Sequence, residues 1–186
     1  MKKLFIALSL SAAALSANAA DYVIDTQGGH ASINFKASHL GFSWLTGRFN
    51  DFAGNFVWDR DNPAASSIQV SIDTASIDSN HAERDKHLRS DDFLDVGKHP
   101  KASFKSTAYQ PTGEGTGELT GEFSLRGVTR TLTFPVQHVG EGEDPWGGYR
   151  AGFAGSTSIM LGDYGMAGPL GNLEVELELH VEGVRQ

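Results

Sequence analysis

The feature that most constrains this chain is an alternation of apolar and polar residues with a period of two. It is clearest over residues 173–182, where five apolar side chains alternate with five polar ones. Successive side chains of a β-strand point to opposite faces of a sheet, so this pattern predicts a strand with one buried face. Shorter runs of the same kind predict eight or nine strands in all. The other runs cover residues 31–37, 52–58, 68–72, 102–104, 119–125, 128–136 and 151–159.

Short turn signals separate these runs and favour antiparallel hairpins. Examples are Asp61-Asn62-Pro63, the glycine-rich residues 113–117, and Arg126-Gly127. Because each strand has an apolar face, the sheet must either stack on a second sheet or close on itself, and closure also removes exposed edges. We therefore expect an all-β fold, an antiparallel β-barrel, with a β-sandwich as the alternative.

Residues 80–90 lack the alternation and are rich in charge. Asn80 is suited to cap a helix whose third residue is Glu83, and Asp85 with Arg89 forms an acid-before-base pair four residues apart. This segment therefore predicts one short helix inserted between strands.

The N-terminus has the features of a secretory signal peptide. Two lysines precede an apolar run over residues 4–15, and an Ala-x-Ala motif ends at Ala19. We expect signal peptidase to remove residues 1–19 by cutting between Ala19 and Ala20. The product would be a single domain, residues 20–186, in the periplasm of a Gram-negative cell.

The composition excludes several functions. The chain has 15 Lys and Arg against 23 Asp and Glu, and loss of two signal-peptide lysines leaves 13 against 23, a net charge of −10. Such a surface repels nucleic acid, so no nucleic-acid partner is expected. No later stretch reaches the roughly 20 apolar residues of a transmembrane segment. There is no cysteine, which excludes thiol redox chemistry, Cys nucleophiles and thiolate metal sites.

The predicted inward face of the barrel mixes large aromatic residues with small ones such as Ala102, Gly121 and Gly155. An eight-stranded barrel is just wide enough to be filled by side chains or to enclose one slender ligand, and the pattern leaves both open. Residues 39–45, apolar on both faces, are expected to be deeply buried or to line the mouth of a pocket. The inward aromatic residues are Phe35, Phe56, Phe104, Phe123, Phe134 and Phe153.

The histidines raise a second hypothesis, a metal-dependent or acid/base enzyme using His81, His87 and His99, with His39 as a further candidate. His81 and His87 are six residues apart, which places them on roughly opposite faces of a helix, whereas two ligands four apart would share one face. No bound metal is expected for that reason. No nucleophile-elbow or His-Glu-x-x-His motif is present in the sequence either, so no catalytic residue is assigned.

Four ordered blocks of this sequence closely resemble the YceI-like family of bacterial exported proteins. They are residues 39–54, 81–94 (HAERDKHLRSDDFL), 125–129 (LRGVT) and 144–153 (DPWGGYRAGF). The resemblance implies a lipocalin-like, extended antiparallel barrel of eight strands with one short helix set against it. It also implies an apolar tunnel that holds a polyisoprenoid or similar amphipathic lipid. Family members are typically periplasmic or secreted, are described as lipid-binding or stress-associated, and have no established catalytic reaction.

Carried onto this sequence, the resemblance implies a tunnel lined by the six phenylalanines above. Four further candidates near an opening are Phe42, Trp44, Leu88 and Phe93. Four basic residues would lock the helix onto the barrel or gather at a lipid head group: Arg84, Arg89, Arg126 and Arg150.

The expected ligand is an isoprenoid lipid, and no obligate cofactor is expected. A ubiquinone-like molecule is favoured over a prenyl pyrophosphate, because the net charge of −10 disfavours an anionic head group unless the arginines gather locally. The protein is expected to be a monomer or a homodimer.

Overall fold

The computed structural model describes residues 19–186, so the predicted signal peptide up to residue 18 lies outside the described residues. The described part contains eleven strands and one α-helix, α1 (Ala82–Leu88). The strands are β1 (Ala20–Ile24), β2 (Ser32–His39), β3 (Ser43–Phe49), β4 (Phe52–Trp58), β5 (Ser67–Asp73), β6 (Ile77–Asp78), β7 (Lys101–Gly113), β8 (Thr116–Leu125), β9 (Val128–Glu143), β10 (Tyr149–Met160) and β11 (Glu174–Arg185).

Eight of these strands form a closed antiparallel ring. Hydrogen bonding runs in the order β1-β4-β5-β7-β8-β9-β10-β11, and β11 pairs back with β1. The closing contact is short, with Val23 opposite Val184 and Ile24 opposite Gly183. The predicted eight-stranded barrel is confirmed, and the sandwich alternative is wrong.

The hairpin of β2 and β3 lies beside this ring. Because β11 is longer than β1, its N-terminal half is free to pair with β2, with Val175 opposite Ala37. At the base of the hairpin β3 pairs with the two-residue strand β6, where Phe49 lies opposite Ile77. The hairpin thus extends the wall of the barrel where β1 does not reach.

Two of the predicted turns have the expected geometry. Arg126 and Gly127 alone separate β8 from β9, and both have positive φ angles, 50° and 76°. A two-residue hairpin of this kind twists in the same sense as its strands. Gly115, with a φ of 66°, likewise lies in the short turn between β7 and β8.

The helix is confirmed, but its predicted cap is wrong. His81 is the N-cap, and its Nδ1 accepts a hydrogen bond from the backbone N–H of Arg84 at 3.2 Å. Asn80 instead adopts a φ of 61°, and its N–H donates to the carboxylate of Asp78. That turn delays the helix by one residue. Asp85 does not pair with Arg89 as predicted, because its carboxylate accepts hydrogen bonds from the N–H and hydroxyl of Ser79.

Two apolar clusters fill the ends of the barrel. The cluster below α1, which we call the helix end, includes Ile72, Leu94, Ala102, Leu125 and Leu161. The other cluster lies beside an irregularity in the pairing of β9 and β10. We call this end of the barrel the bulge end. Its buried members are Ala20, Tyr22, Ile24, Phe56, Trp58, Tyr109 and Ala151. None of the helices within residues 19–186 has the length and hydropathy needed to cross a bilayer.

Candidate functional site: an apolar lumen

A cavity of about 400 Å³ runs between the two ends of the barrel. Its walls are almost entirely apolar, and it is lined from the helix end (Leu88, Phe93) to the bulge end (Trp58, Tyr109). Along β10 the inward row reaches from Phe153 to Ile159, about 20 Å at the rise of a β-strand. The sequence left a filled core and a cavity as alternatives, and the structure has the cavity.

Most of the residues predicted to line a tunnel do line this cavity. They are Phe35, Phe56, Leu88, Phe93, Phe104, Phe123, Phe134 and Phe153. Their contact with a ligand stays a prediction.

Phe42 and Trp44 do not line the cavity, and of the two alternatives for residues 39–45 deep burial is wrong. Residues 40 and 41 have φ angles of 53° and 77° and form a tight turn at the tip of the β2–β3 hairpin. Phe42 is 85% exposed there, and Trp44 is 64% exposed on the outer face of β3, where the ammonium of Lys36 lies over its ring. The apolar side chains of Phe42 and Trp44 are therefore exposed and not deeply buried.

Several of the aromatic residues that line the lumen pack against glycines of neighbouring strands, in the space that a Cβ would take. Phe104 covers Gly121, and a Cβ built on that glycine would overlap the ring. Phe35 covers Gly47, directly opposite on β3, in the same way. Two more pairs share this arrangement: Phe56 with Gly183, and Tyr109 with Gly117. A side chain at any of these glycines would collide with the ring, which would have to shift.

Sequence reasoning missed the aliphatic half of the lining. Val175, Leu177, Leu179 and Val181 all face the cavity from β11. They are the apolar members of the run with the clearest alternation, so the signal was present in the sequence. The pattern predicts only a buried face, because alternation does not show whether that face meets a cavity.

Three of the four predicted arginines hold α1 and its neighbouring loops through backbone carbonyls. Arg89 donates to the carbonyls of Ala75 and Ile77 at 2.7 and 2.6 Å. Arg126 donates to the carbonyl of Asp91, in the loop after α1, and to that of Gly165, in the segment after β10. Arg84 also lines the cavity, but its guanidinium donates to the hydroxyl and carbonyl of Ser79.

Arg150 neither locks the helix nor joins the other arginines. Its guanidinium bonds the carboxylates of Asp25 (2.6 Å), Asp144 (2.7 Å) and Glu182 (2.7 Å). These hydrogen bonds hold the pKa of Asp25 and of Asp144 well below the usual range, and they raise the pKa of Arg150. The network joins β1, β10 and β11 where the barrel closes, and its one guanidinium is already bonded by three carboxylates.

The histidines proposed for an enzyme do not converge on one site. His81 caps α1, while Nε2 of His87 lies 3.2 Å from the carboxylate of Asp92 and its ring packs edge-on against Phe93. The ring of His99 packs over Gly127. Each ring therefore has a structural contact of its own.

Within residues 19–186, the grouping that brings three potential metal ligands together is Asp25, His30 and Glu182. Its carboxylates already bond the guanidinium of Arg150, and Nδ1 of His30 lies 2.9 Å from Asp25. A metal ion would have to displace a matched cation. This grouping is accounted for as the network that closes the barrel.

These features define a closed antiparallel barrel with an apolar lumen and one helix at its end. The model of the YceI-like domain matches residues 22–183, and the chain belongs to that family. A UPF0312 protein of Azotobacter vinelandii is 54% identical over 191 residues, and one of Ectopseudomonas mendocina is 53% identical over 190 residues. Both alignments cover all of this chain and all of the relative.

Solved structures share the fold at low sequence identity. BcnA of Burkholderia cenocepacia superposes with a TM-score of 0.77 at 22% identity, covering 86% of this chain and 98% of that one. A polyisoprenoid binding domain from Saccharophagus degradans, implicated in plant cell wall breakdown, gives a TM-score of 0.65 at 16% identity, covering 89% and 98%. At these identities the likeness concerns the fold.

Proposed function

We propose that this protein is an exported carrier that holds the chain of an isoprenoid lipid in the lumen of its barrel. The observation that carries the proposal is the apolar cavity of about 400 Å³, a size typical of small-molecule sites. The polyisoprenoid binding domain of Saccharophagus degradans, which has the same fold, supports the choice of ligand. The role is binding and not catalysis.

Burial of the chain is the driving force for binding. Each buried CH₂ contributes about 0.8 kcal/mol, so a five-carbon isoprene unit contributes about 4 kcal/mol before the cost of ordering the chain. Phe35 and Phe104 pack against Gly47 and Gly121, and this packing keeps the lumen open before the ligand arrives. An open lumen lowers the free-energy cost of reorganising the site on binding.

The carrier works in the periplasm after removal of residues 1–19, as a monomer or homodimer, and a stress-associated role is consistent with its family. The basic start, apolar run and Ala-x-Ala motif support export to the periplasm. Mass spectrometry of the protein from a periplasmic fraction tests it, and a mature chain beginning at Ala20 is expected. A full-length chain retained in the cytoplasm would contradict the proposal.

Fluorescence of Trp58 provides a direct binding assay. The chain has three tryptophans, of which Trp58 lines the cavity while Trp44 and Trp146 are exposed. In the double variant Trp44→Phe/Trp146→Phe, a ubiquinone with a short isoprenoid tail should quench the remaining emission saturably. Linear quenching without saturation, together with periplasmic protein that carries no extractable lipid, would overturn the proposal.

A bulky residue in the middle of the lumen should block binding. Thr157 faces the cavity from β10, between Phe153 and Ile159, so Thr157→Trp should weaken ubiquinone binding at least tenfold, about 1.4 kcal/mol. Ser158→Trp is the matched control, because Ser158 is exposed on the outer face of the same strand. Equal loss of affinity in both variants, or in neither, would contradict binding in the lumen.

A further inference from the structure

An irregularity in β9 places two polar side chains at the bulge end of the lumen. Leu132, Phe134 and Val136 line the cavity from β9, and His138 continues the same inward row. His138 lies opposite Phe153, and Gly140 lies opposite Gly152, so Val139 is an extra residue without a partner on β10. Such a β-bulge re-aims the side chains that follow it.

The bulge brings Glu141 onto the inward face as well. Glu141 lies opposite the buried Ala151, and its side chain is buried. Without the extra residue, alternation would turn Glu141 outward. His138 and Glu141 therefore stand side by side at the end of an otherwise apolar row, although they are three residues apart.

The imidazole of His138 packs against two rings of the cavity wall, which also contact each other. Its centroid is 5.1 Å from the ring of Trp58 and 5.1 Å from that of Phe153. Its Nε2 is buried and has no hydrogen-bond partner. The nearest carboxylate oxygen, on Glu141, is 4.0 Å away, too far for a hydrogen bond. Both oxygens of that carboxylate are engaged, one by the indole N–H of Trp58 at 2.9 Å and the other by Arg60 at 3.1 Å.

A buried polar atom without a partner costs about 1–3 kcal/mol, and each such atom in a folded protein needs an explanation. At the helix end, the hydroxyl of Tyr164 and Nε of Arg126 are also buried without a partner. None of the three residues, Tyr164, Arg126 and His138, lines the cavity itself. Arg126 donates to backbone carbonyls through its other guanidinium nitrogens, and Tyr164 packs against a single ring of the cavity wall, that of Phe123. His138 is the one whose ring packs against two rings of the cavity wall.

On the basis of these contacts, and resting on the proposed function above, we infer that Nε2 of His138 hydrogen-bonds a neutral oxygen at the head of the bound lipid. The lipid then lies with its head at the bulge end and its tail toward α1. The head is a quinone carbonyl or a prenol hydroxyl and not a pyrophosphate. The carboxylate of Glu141 stands beside the site, and the guanidinium of Arg60, which reaches that carboxylate, is already paired with it.

Three ligands with the same fifteen-carbon chain test the inference: farnesol, the hydrocarbon farnesene and farnesyl pyrophosphate. The wild-type protein should bind farnesol about tenfold more tightly than farnesene, the value of one hydrogen bond, and should bind the pyrophosphate more weakly than farnesol. A ubiquinone with a short tail is the quinone arm. His138→Leu should abolish the preference for farnesol while farnesene binds as before. Tyr164→Phe, which removes another orphaned polar atom, should retain the wild-type preference.

The outcomes separate this inference from the proposed function. Failure of the wild-type protein to bind any of these ligands contradicts both. Equal binding of farnesol and farnesene, or tighter binding of the pyrophosphate, overturns the head-group contact and leaves the carrier intact. Should His138→Leu fail to fold, ¹⁵N NMR of the wild-type imidazole gives the answer: the Nε2 resonance shifts with farnesol and not with farnesene. An unchanged resonance with both would overturn the inference.

Discussion

The two ends of the barrel use their charged and polar side chains differently. At the helix end, Arg89 and Arg126 donate hydrogen bonds to backbone carbonyls, and these bonds hold α1 and the loop after it in place. At the bulge end, Arg150 is matched by carboxylates, and Nε2 of His138 is left without a partner. The charged block that stands out in the sequence, residues 81–94, therefore has a structural role. The unpartnered polar atom whose ring packs against two rings of the cavity wall lies at the opposite end.

The largest effect that this comparison predicts is on stability at the helix end. Arg89→Met removes two charge-assisted hydrogen bonds and leaves the carbonyls of Ala75 and Ile77 without that donor. We expect a loss of about 2 kcal/mol in the free energy of unfolding, which lowers the Tm by roughly 4–8 °C for a chain of this length. Thermal unfolding followed by circular dichroism measures it.

Arg130→Met is the control for that variant, because Arg130 is exposed and its hydrogen bond is to the carbonyl of the preceding residue, Thr129, at 3.4 Å. Its Tm should stay close to the wild-type value. Equal Tm values for Arg89→Met and Arg130→Met would show that the helix end is not held by its arginine-to-carbonyl bonds.

A smaller and pH-dependent effect is predicted at the bulge end. Hydrogen bonds from Arg150 and His30 hold the pKa of Asp25 well below its usual value. A depressed pKa in the folded state adds stability above the unfolded value of about 4, and this contribution is lost as the pH falls. Asp25→Asn should therefore lower the Tm by a few degrees at pH 7, and the gap to wild type should narrow below about pH 4. The control is Glu114→Gln, in the exposed turn between β7 and β8. A gap for Asp25→Asn that is independent of pH would refute the assignment.

The smallest effect is predicted at the tip of the β2–β3 hairpin. Leu40 and Phe42 are 79% and 85% exposed, so Leu40→Ser/Phe42→Ser should change the free energy of unfolding by less than about 0.5 kcal/mol. Farnesol affinity should stay within about twofold of wild type, since 1.4 kcal/mol is needed for tenfold. A marked loss of affinity in isothermal titration would instead place this hairpin at the mouth of the lumen, as the sequence alone suggested.

The barrel could be predicted from the sequence because the alternation that encodes it is local. The parity of residues along β8, β9 and β10 is enough to turn Phe123, Phe134 and Phe153 inward. Apolar composition alone, however, did not distinguish an exposed hairpin from a buried segment, and Phe42 was misplaced for that reason.

The rest of the site depends on pairing between distant strands. The partners of Arg150 come from β11, from the loop after β1 and from the loop before β10, and no local pattern specifies that meeting. The inward turn of Glu141 depends on one extra residue at Val139, which becomes a bulge only through the register of β9 against β10. The packing of Phe104 over Gly121 likewise requires the register of β7 and β8.

The central claim is that the lumen holds an isoprenoid chain with its head at the bulge end, and a crystal structure with bound farnesol tests it most directly. The account predicts continuous ligand density from Phe93 to Trp58, with the farnesol oxygen within about 3 Å of Nε2 of His138. Farnesol bound outside the barrel, or inside it with the hydroxyl at α1, would contradict the account.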